Sequence, residues 1–218
     1  MDETKYPGIY ENWFGKKKFL FTKSLDGKIF FGEKLIEGYR ELDPTRSKLG
    51  AAVIKKISSI GLKENNLVLY LGASHGYTAS FVSDIVGKRG IVYCVDFSPR
   101  VVMQLVFVCE ERENMIPILA DARKPLSYQN RVTKVDFVYC DVAQREQVDL
   151  FLKNVKMFLK PKSYCMLALK ARSIDAVKNP RKIYEVVKKE LSAELRVLSV
   201  VELDPLEKDH CVFLCQYK

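Results

Sequence analysis

The sequence lacks the features of a secreted, membrane-spanning or zinc-binding protein. None of its cysteines forms a Cys-x-x-Cys pair, and no apolar stretch approaches the roughly 18 residues of a membrane span. The first residues have no basic-then-apolar signal pattern, and there is neither an internal repeat nor an arginine-glycine tract. These absences favour reduced, buried thiols and an intracellular, cytoplasmic protein without a structural metal. The cysteines are Cys94, Cys109, Cys140, Cys165, Cys211 and Cys215.

The composition is that of a folded chain with a basic surface. Its 218 residues are 48% hydrophobic and 29% charged, which is enough for one main core with a small appendage. The net charge of +9 favours polyanionic partners, because basic surfaces attract phosphate whatever the fold. Charge alone is equally compatible with a lysine-rich protein that gains only solubility.

The chain divides into two regions of different character. Residues 1–44 are rich in aromatic residues and glycine, and an Asp-Gly turn at Asp26-Gly27 separates two apolar runs, which predicts a hairpin. We therefore expect a small β-rich N-terminal domain over residues 1–44. Residues 45–218 form the second expected domain.

The second region alternates apolar strands with helices. Such alternation predicts a parallel sheet covered on both faces, and the last two strands lack a helix between them and should be antiparallel. The expected fold is α/β and Rossmann-like, a mostly parallel seven-stranded sheet with an antiparallel last strand, as in class I methyltransferases. Strands are predicted at 67–71, 91–95, 115–119, 135–140, 164–169, 194–203 and 211–217. Helices are predicted at 46–60, 78–86, from Ser98-Pro99 onward, and at 144–159 and 180–191.

Polar or flexible residues follow each of the first five strands, where open α/β sheets bind ligands. The first strand ends in a glycine turn from Gly72 to Gly76, and Asp96 after the second strand could accept both ribose hydroxyls of an adenosyl group. Asp121, Asp141 and Lys170 follow the next three strands. The pattern indicates a nucleotide-containing ligand, either S-adenosylmethionine or a nicotinamide dinucleotide. The absence of Gly-x-Gly-x-x-Gly argues against the dinucleotide.

Five stretches of the sequence closely resemble the fibrillarin family in its compact archaeal form. The resemblance runs from about Tyr6 to the C-terminus. The stretches are Asp43-Pro-Thr-Arg-Ser-Lys-Leu-Gly50, Tyr70-Leu-Gly-Ala-Ser-His-Gly76, Val92-Tyr-Cys-Val-Asp-Phe-Ser-Pro-Arg100, Ile116-Pro-Ile-Leu-Ala-Asp-Ala-Arg123 and Asp136-Phe-Val-Tyr-Cys-Asp-Val-Ala-Gln144.

The resemblance implies S-adenosylmethionine-dependent methylation of the RNA ribose 2′-hydroxyl, chiefly in ribosomal RNA, with transfer RNA as a further substrate. It also implies box C/D guide RNA, a Nop-type scaffold protein and a kink-turn-binding subunit related to ribosomal proteins as partners. The implied cofactor-binding residues are Gly72, Tyr77, Thr78, Asp96, Phe97, Asp121, Ala122, Asp141, Val142, Ala143 and Gln144. Two departures lie at this site, because Tyr77 replaces a usual threonine and Asp96 a usual glutamate.

The resemblance further implies a catalytic tetrad of Lys48, Asp141, Lys170 and His210. We expect Lys170 to receive or guide the hydroxyl proton, with Asp141 holding Lys170 in place and both lysines stabilising charge on oxygen. Which lysine acts as the base stays open. Two alternatives also stay open: a non-catalytic RNA-binding subunit and a protein glutamine methyltransferase. A nicotinamide dehydrogenase is remote.

Overall fold

The computed structural model describes all residues from 1 to 218 and contains two sheets. The N-terminal sheet is antiparallel, with strand order β1-β2-β3-β5-β4. Its strands are β1 (Asp2–Glu3), β2 (Ile9–Phe14), β3 (Lys17–Lys23), β4 (Leu35–Ile36) and β5 (Tyr39–Glu41). This sheet ends just before the expected boundary at residue 44, and the division into two domains stays a prediction.

The second sheet has seven strands in the order β11-β12-β10-β9-β6-β7-β8. The last strand, β12, lies between β10 and β11 and is antiparallel to both, while the other pairs are parallel. The predicted fold class is therefore confirmed. The strands are β6 (Leu67–Leu71), β7 (Ile91–Asp96), β8 (Met115–Leu119), β9 (Val135–Cys140), β10 (Leu159–Lys170), β11 (Leu195–Glu202) and β12 (His210–Tyr217).

Six helices flank this sheet. They are α1 (Lys48–Ile54), α2 (Tyr77–Val86), α3 (Pro99–Glu110), α4 (Gln147–Phe158), α5 (Ala171–Ile174) and α6 (Pro180–Glu194). One hydrophobic cluster joins α1, α2, α3 and the N-terminal sheet to one face, and a second joins α4 and α6 to the other. Both faces are thus covered, as continuous apolar strands require. All six thiols are free, and no helix has the length and apolar character needed to cross a bilayer.

A buried ionic cluster attaches the N-terminal sheet to α2. The Arg40 guanidinium on β5 lies 2.9 Å from an Asp84 carboxylate oxygen and 2.6 Å from a Glu33 carboxylate oxygen. Arg112 contacts the other Asp84 oxygen at 2.8 Å, and the Thr22 hydroxyl donates to Asp84 at 2.7 Å. Each charge is paired, which is the condition under which buried ions are tolerated. This network therefore helps to hold the two sheets together, and removal of one member would leave a buried charge without its partner.

The hairpin predicted at Asp26-Gly27 is wrong. The Asp26 side chain does accept the Lys28 N–H at 2.9 Å, so a local turn forms, but no strand follows it. Instead the Glu33 carboxylate accepts the backbone N–H groups of Phe30 and Phe31, which wraps this segment into a loop. Backbone pairing of β3 goes to β2 and β5, so the observed hairpin turns lie at 15–16 and 37–38.

The helix predicted over 46–60 is shorter than expected. The Ser47 side chain accepts the Gly50 N–H and starts the helix at Lys48, while Lys56 has a left-handed φ of 61° that ends it. The fourth helix likewise begins at Gln147, which leaves 144–146 as a loop beside the sheet. Strand β10 starts earlier than predicted, at Leu159. Leu159 pairs with Val135 of β9, and after a register shift the pairing with β9 resumes at Tyr164.

Candidate active site

The carboxyl ends of β6 to β10 and the first residue of β12 meet along one rim of the seven-stranded sheet. A cavity of about 290 Å³ opens at this rim, between the ends of β6, β7, β8 and β9. Its lining residues are Gly72, Ser74, Val95, Asp96, Phe97, Ala120, Asp121, Ala122, Asp141, Val142, Ala143 and Gln144. Nine of the eleven residues predicted to bind a cofactor therefore share one cavity; Tyr77 and Thr78 do not line it.

Gly72 allows two strand ends to approach closely. Its φ is +78°, and a Cβ at this position would lie 2.4 Å from the Asp141 carbonyl oxygen. Its N–H donates to the Val95 carbonyl at 2.9 Å. Only glycine fits both the conformation and the distance, so Gly72 fixes the floor of the cavity by having no side chain.

Asp96 is held from both sides by backbone. One carboxylate oxygen accepts the Ser74 N–H at 3.0 Å, and the other accepts the Ser98 N–H at 3.1 Å. Ser98 precedes α3, but its side chain makes no capping hydrogen bond to this helix. Each carboxylate oxygen can accept more than one hydrogen bond, so Asp96 stays able to receive a pair of ligand hydroxyls. Phe97 next to it is 62% exposed and forms the edge of the cavity.

Asp121 and Ala122 are held by one exposed ion pair and one buried amide. The Arg123 guanidinium donates to both Asp121 oxygens at 2.8–3.0 Å and lowers the pKa of this carboxyl. The Ala122 carbonyl accepts from the buried Asn154 amide at 2.8 Å, and Asn154 in turn accepts from the Tyr128 hydroxyl. The loop after β8 is therefore presented in one conformation by a charged pair and a buried amide.

Gln144 presents an acceptor that the chain does not satisfy. Its Oε1 atom is buried and has no hydrogen-bond partner within the protein. A buried unpaired acceptor is costly unless a ligand or water completes it. In a cavity of this size, the atom indicates where a ligand donor belongs.

Tyr77 and Thr78 stay predicted cofactor contacts, although neither lines the cavity and both side chains contact other parts of the protein. The Tyr77 ring packs against Phe31 at 5.4 Å and under the Arg46 guanidinium at 4.2 Å, and burial raises its pKa to about 12. The Thr78 hydroxyl donates to the Ser47 hydroxyl at 3.1 Å. The Tyr77 ring is thus packed among Phe31, Phe81 and Arg46, whereas the Thr78 hydroxyl supports the residue that caps α1.

Lys48 and Asp141 form an ion pair at the rim. The Lys48 ammonium lies 3.0 Å from each of the Asp141 carboxylate oxygens, across 93 residues of sequence. The expectation that Asp141 holds Lys170 is therefore wrong, because its oxygens face the helix that carries Lys48. Ser47 caps this helix and is itself held by Thr78, so α2 indirectly fixes where Lys48 lies.

Lys170 is held through its backbone instead. The buried Gln147 side chain accepts the Lys170 N–H at 3.0 Å and donates to the Lys170 carbonyl at 3.1 Å. The Lys170 side chain is exposed, and its ammonium makes no hydrogen bond within the protein. The backbone of Lys170 is therefore fixed while its ammonium has no partner, in contrast to the Lys48 ammonium, which is paired with Asp141.

His210 is directly opposite Lys170 on the antiparallel strand β12. Its Nδ1 lies 2.7 Å from the Lys208 carbonyl, to which only a protonated nitrogen can donate. Burial lowers the pKa of His210, and the Lys48 ammonium adds to the effect. The neutral ring therefore carries its proton on Nδ1, which leaves Nε2 as an acceptor.

Sequence reasoning missed three supporting residues, Gln147, Asn154 and Ser47. Both amides are fully buried on α4, and a polar residue within an apolar helix face is the only signal the sequence carried. That signal predicts a buried amide that makes hydrogen bonds, but it does not identify the groups to which the amide bonds. Ser47 could have been found as a helix cap, since it precedes an apolar run.

The sheet order, the inserted antiparallel strand and the ligand rim at the strand ends define a class I methyltransferase. The set of rim residues narrows the class further. The chain belongs to the fibrillarin family, whose model matches residues 1–218. The resemblance drawn from the five sequence stretches is therefore confirmed.

Relatives at the level of sequence and structure agree with this assignment. The fibrillarin-like rRNA/tRNA 2′-O-methyltransferase of Thermococcus onnurineus is 44% identical over 216 residues, which cover 96% of both chains. Fibrillarin of Aeropyrum pernix, solved with natively bound S-adenosyl-L-methionine, is 39% identical, with a TM-score of 0.90 over 98% of this chain and 96% of that one. A fibrillarin solved as a fibrillarin/Nop5p complex is 36% identical, with a TM-score of 0.90 over 99% and 100%.

Proposed function

We infer that this chain is an S-adenosylmethionine-dependent methyltransferase of the ribose 2′-hydroxyl of RNA, acting on ribosomal and transfer RNA. The observation that carries the inference is the adjacency of two sites on one rim: a cavity with ligand-ready acceptors, and a cluster of two lysines, a carboxylate and a neutral histidine. The relatives' names give the same reaction.

The cavity suits the cofactor on three counts. Gly72 lets the ends of β6 and β9 meet beneath it, Asp96 offers two acceptors for ribose hydroxyls, and the unpaired Gln144 oxygen offers one for an ammonium or amine group. Asp121, Ala122 and the exposed Phe97 ring would enclose the base. Bound S-adenosylmethionine would supply an electrophilic methyl group on a sulfonium.

The catalytic cluster would act on the RNA hydroxyl. A ribose hydroxyl is a poor nucleophile and must lose its proton as it attacks, so a group at the rim has to hold or direct that proton. Lys170 is suited to this because its side-chain nitrogen has no partner in the chain, whereas Lys48 is tied to Asp141. As an ammonium Lys170 can only guide the proton, and it can accept the proton only after releasing one of its own to solvent. His210 Nε2 offers an acceptor to the same hydroxyl, and the lysines stabilise the negative charge that develops on oxygen.

We assign the choice of target nucleotide to partners. The Nop-type scaffold protein is supported by the relative solved with Nop5p, while box C/D guide RNA and a kink-turn-binding subunit follow from the family resemblance. Free thiols agree with a cytoplasmic location.

Transfer of a labelled methyl group from S-adenosylmethionine to RNA tests this proposal. We expect label on the ribose 2′-oxygen of a guide-paired target in the reconstituted complex, and little or none when the guide RNA or the scaffold protein is omitted. Label on protein glutamine but not on RNA would assign the other methyltransferase activity. Binding of RNA with no methyl transfer to either would assign a non-catalytic subunit.

A further inference from the structure

The β2–β3 hairpin projects beyond the N-terminal sheet. Strand β1 pairs with β2 only at Tyr10 and Glu11, and β5 pairs with β3 only from Phe21 to Lys23. Residues 12–19 therefore pair only with each other, as a two-stranded ribbon that has no neighbour on either side. This ribbon plays no part in the rim, the cavity or the contact with α2.

Two large aromatic side chains lie exposed at the end of this ribbon. Trp13 is 54% exposed and Phe14 is 49% exposed. Because successive residues of a strand point to opposite faces, the ribbon presents one ring on each face. The Phe14 ring rests edge-on against Phe19 at 5.3 Å, which orients it without covering it. Each ring therefore leaves about half of its surface open to a planar partner on its own face of the ribbon.

The charge around these rings selects the kind of partner. Residues 12–24 contain four lysines and no acidic residue. Lys18 is occupied, since it pairs with Glu11 at 2.5 Å and lies over the Trp13 ring at 5.4 Å. Lys16 in the turn and Lys17 at the start of β3 have no carboxylate partner, and the Lys17 ammonium lies 4.9 Å from the Phe19 ring centroid. Exposed aromatic faces between free cations form the combination that binds single-stranded nucleic acid, through base stacking and phosphate contacts.

We propose that the tip of this hairpin, residues 13–19, is a binding site for single-stranded RNA, separate from the catalytic rim. Trp13 and Phe14 would stack against unpaired bases, and Lys16 and Lys17 would contact the phosphates on either side. The proposal rests on the proposed function only in taking RNA as the ligand. It adds a contact to RNA outside the guide-paired target, where bases are free to stack.

Trp13 provides the probe, because it is the only tryptophan of the chain. Titration of the full-length protein with a short oligouridylate should quench its fluorescence, as a base stacks on the indole. Phe14→Ala should weaken binding by about fivefold or more, in line with the loss of one stacked base. The double variant Lys16→Ala/Lys17→Ala should flatten the dependence of log affinity on log salt by about 1.4, since each single-strand phosphate contact contributes about 0.7.

Matched controls separate this site from charge in general and from the cofactor site. Lys188→Ala/Lys189→Ala removes the same charge from exposed positions on α6 and should leave the salt dependence unchanged. Every variant should keep the wild-type affinity for S-adenosylmethionine by calorimetry, which also shows that it is folded. Failure of that binding in the wild-type protein would count against the proposed function and not against the hairpin.

Three results would overturn the proposal. The first is an unquenched Trp13 at saturating oligouridylate, and the second is equal quenching in the wild-type protein and both tip variants. The third is a blue shift of Trp13 emission on vesicles containing phosphatidylserine, or on addition of the scaffold protein, with no response to RNA. That outcome would assign the hairpin to a membrane surface or to a protein partner.

Discussion

The two halves of the rim differ in how their side chains are positioned. In the cofactor half, which is the part of the rim at the ends of β6, β7 and β8, Asp96 and Asp121 accept hydrogen bonds at 2.8–3.1 Å. The donors lie in the same turn or in the adjacent one. In the catalytic half, which holds Lys48, Asp141, Lys170 and His210, the Lys48 ammonium contacts Asp141 across 93 residues of sequence. The backbone of Lys170 is held by the Gln147 side chain, which belongs to another element. One half is built from local turns and the other from the topology of the whole domain. Substitutions in the two halves should therefore separate cofactor binding from methyl transfer.

The largest effect is expected from Lys170→Ala. Loss of the one free ammonium at the catalytic rim should lower the rate of methyl transfer in the reconstituted complex by about 10³-fold, as for loss of an acid–base group. Calorimetric affinity for S-adenosylmethionine should stay at the wild-type value. Lys178→Ala, an exposed lysine in the following loop, serves as the control and should be fully active. Wild-type turnover by Lys170→Ala would remove this residue from the mechanism.

Gly72→Ala should affect cofactor binding and methyl transfer together, because Gly72 lines the cavity and also lies against Asp141. The added Cβ would meet the Asp141 carbonyl at 2.4 Å in a left-handed conformation, which costs about 3 kcal/mol of stability unless strands move apart. Both cofactor affinity and activity should fall, together with the midpoint of thermal unfolding. Gly27→Ala makes a matched comparison, since that glycine also has a positive φ but open space around it. An unchanged cofactor affinity in Gly72→Ala would show that the strand ends are not tightly fixed.

Asp96→Ala tests the cofactor half alone. Removing the carboxylate deletes two acceptors for ribose hydroxyls, so the dissociation constant for S-adenosylmethionine should rise by about tenfold to a hundredfold. Asp96→Asn keeps one acceptor oxygen and should lose less. The rate at saturating cofactor should change little in either variant. Unaltered binding by Asp96→Ala in a calorimetric titration would reject the ribose assignment.

The smallest effect concerns the pH dependence of His210. Its pKa is lowered in the folded protein, so the unfolded chain binds more protons between that lowered value and the ordinary value of about 6.5. The stability from the neutral ring is therefore complete above about pH 6.5 and is lost as pH falls through this window. Urea unfolding at several pH values should show this slope, and His210→Gln should reduce it. An equal slope in the variant would place the effect elsewhere.

The fold and the cofactor half followed from the sequence because their signals are local. Apolar strands alternating with helices predicted the sheet, and glycine and aspartate at strand ends predicted the cavity. Gly72 and Asp96 could be recognised because each lies at the carboxyl end of an apolar strand, where the sequence pattern itself marks the position. Strand ends were predicted to within a few residues for the same reason.

The partners of Lys48 and Lys170 could not be predicted in this way. Pairing of Asp141 with Lys48 depends on how α1 packs against the sheet, and the clamp on Lys170 depends on the direction of one amide on α4. The Asp26-Gly27 turn shows the same limit, since a good local turn signal lost to Glu33, whose carboxylate is tied to Arg40. Each of these cases was decided by polar contacts between residues of different elements, which the sequence pattern does not show.

A crystal structure of this protein with bound S-adenosylmethionine tests the central claim most directly. We expect the adenosyl group between Asp96 and Asp121, an amino group on the Gln144 oxygen, and the sulfonium methyl facing the space between Lys170 and the Lys48–Asp141 pair. A cofactor whose methyl points away from these lysines, or one bound outside the cavity at the ends of β6 to β9, would contradict the account.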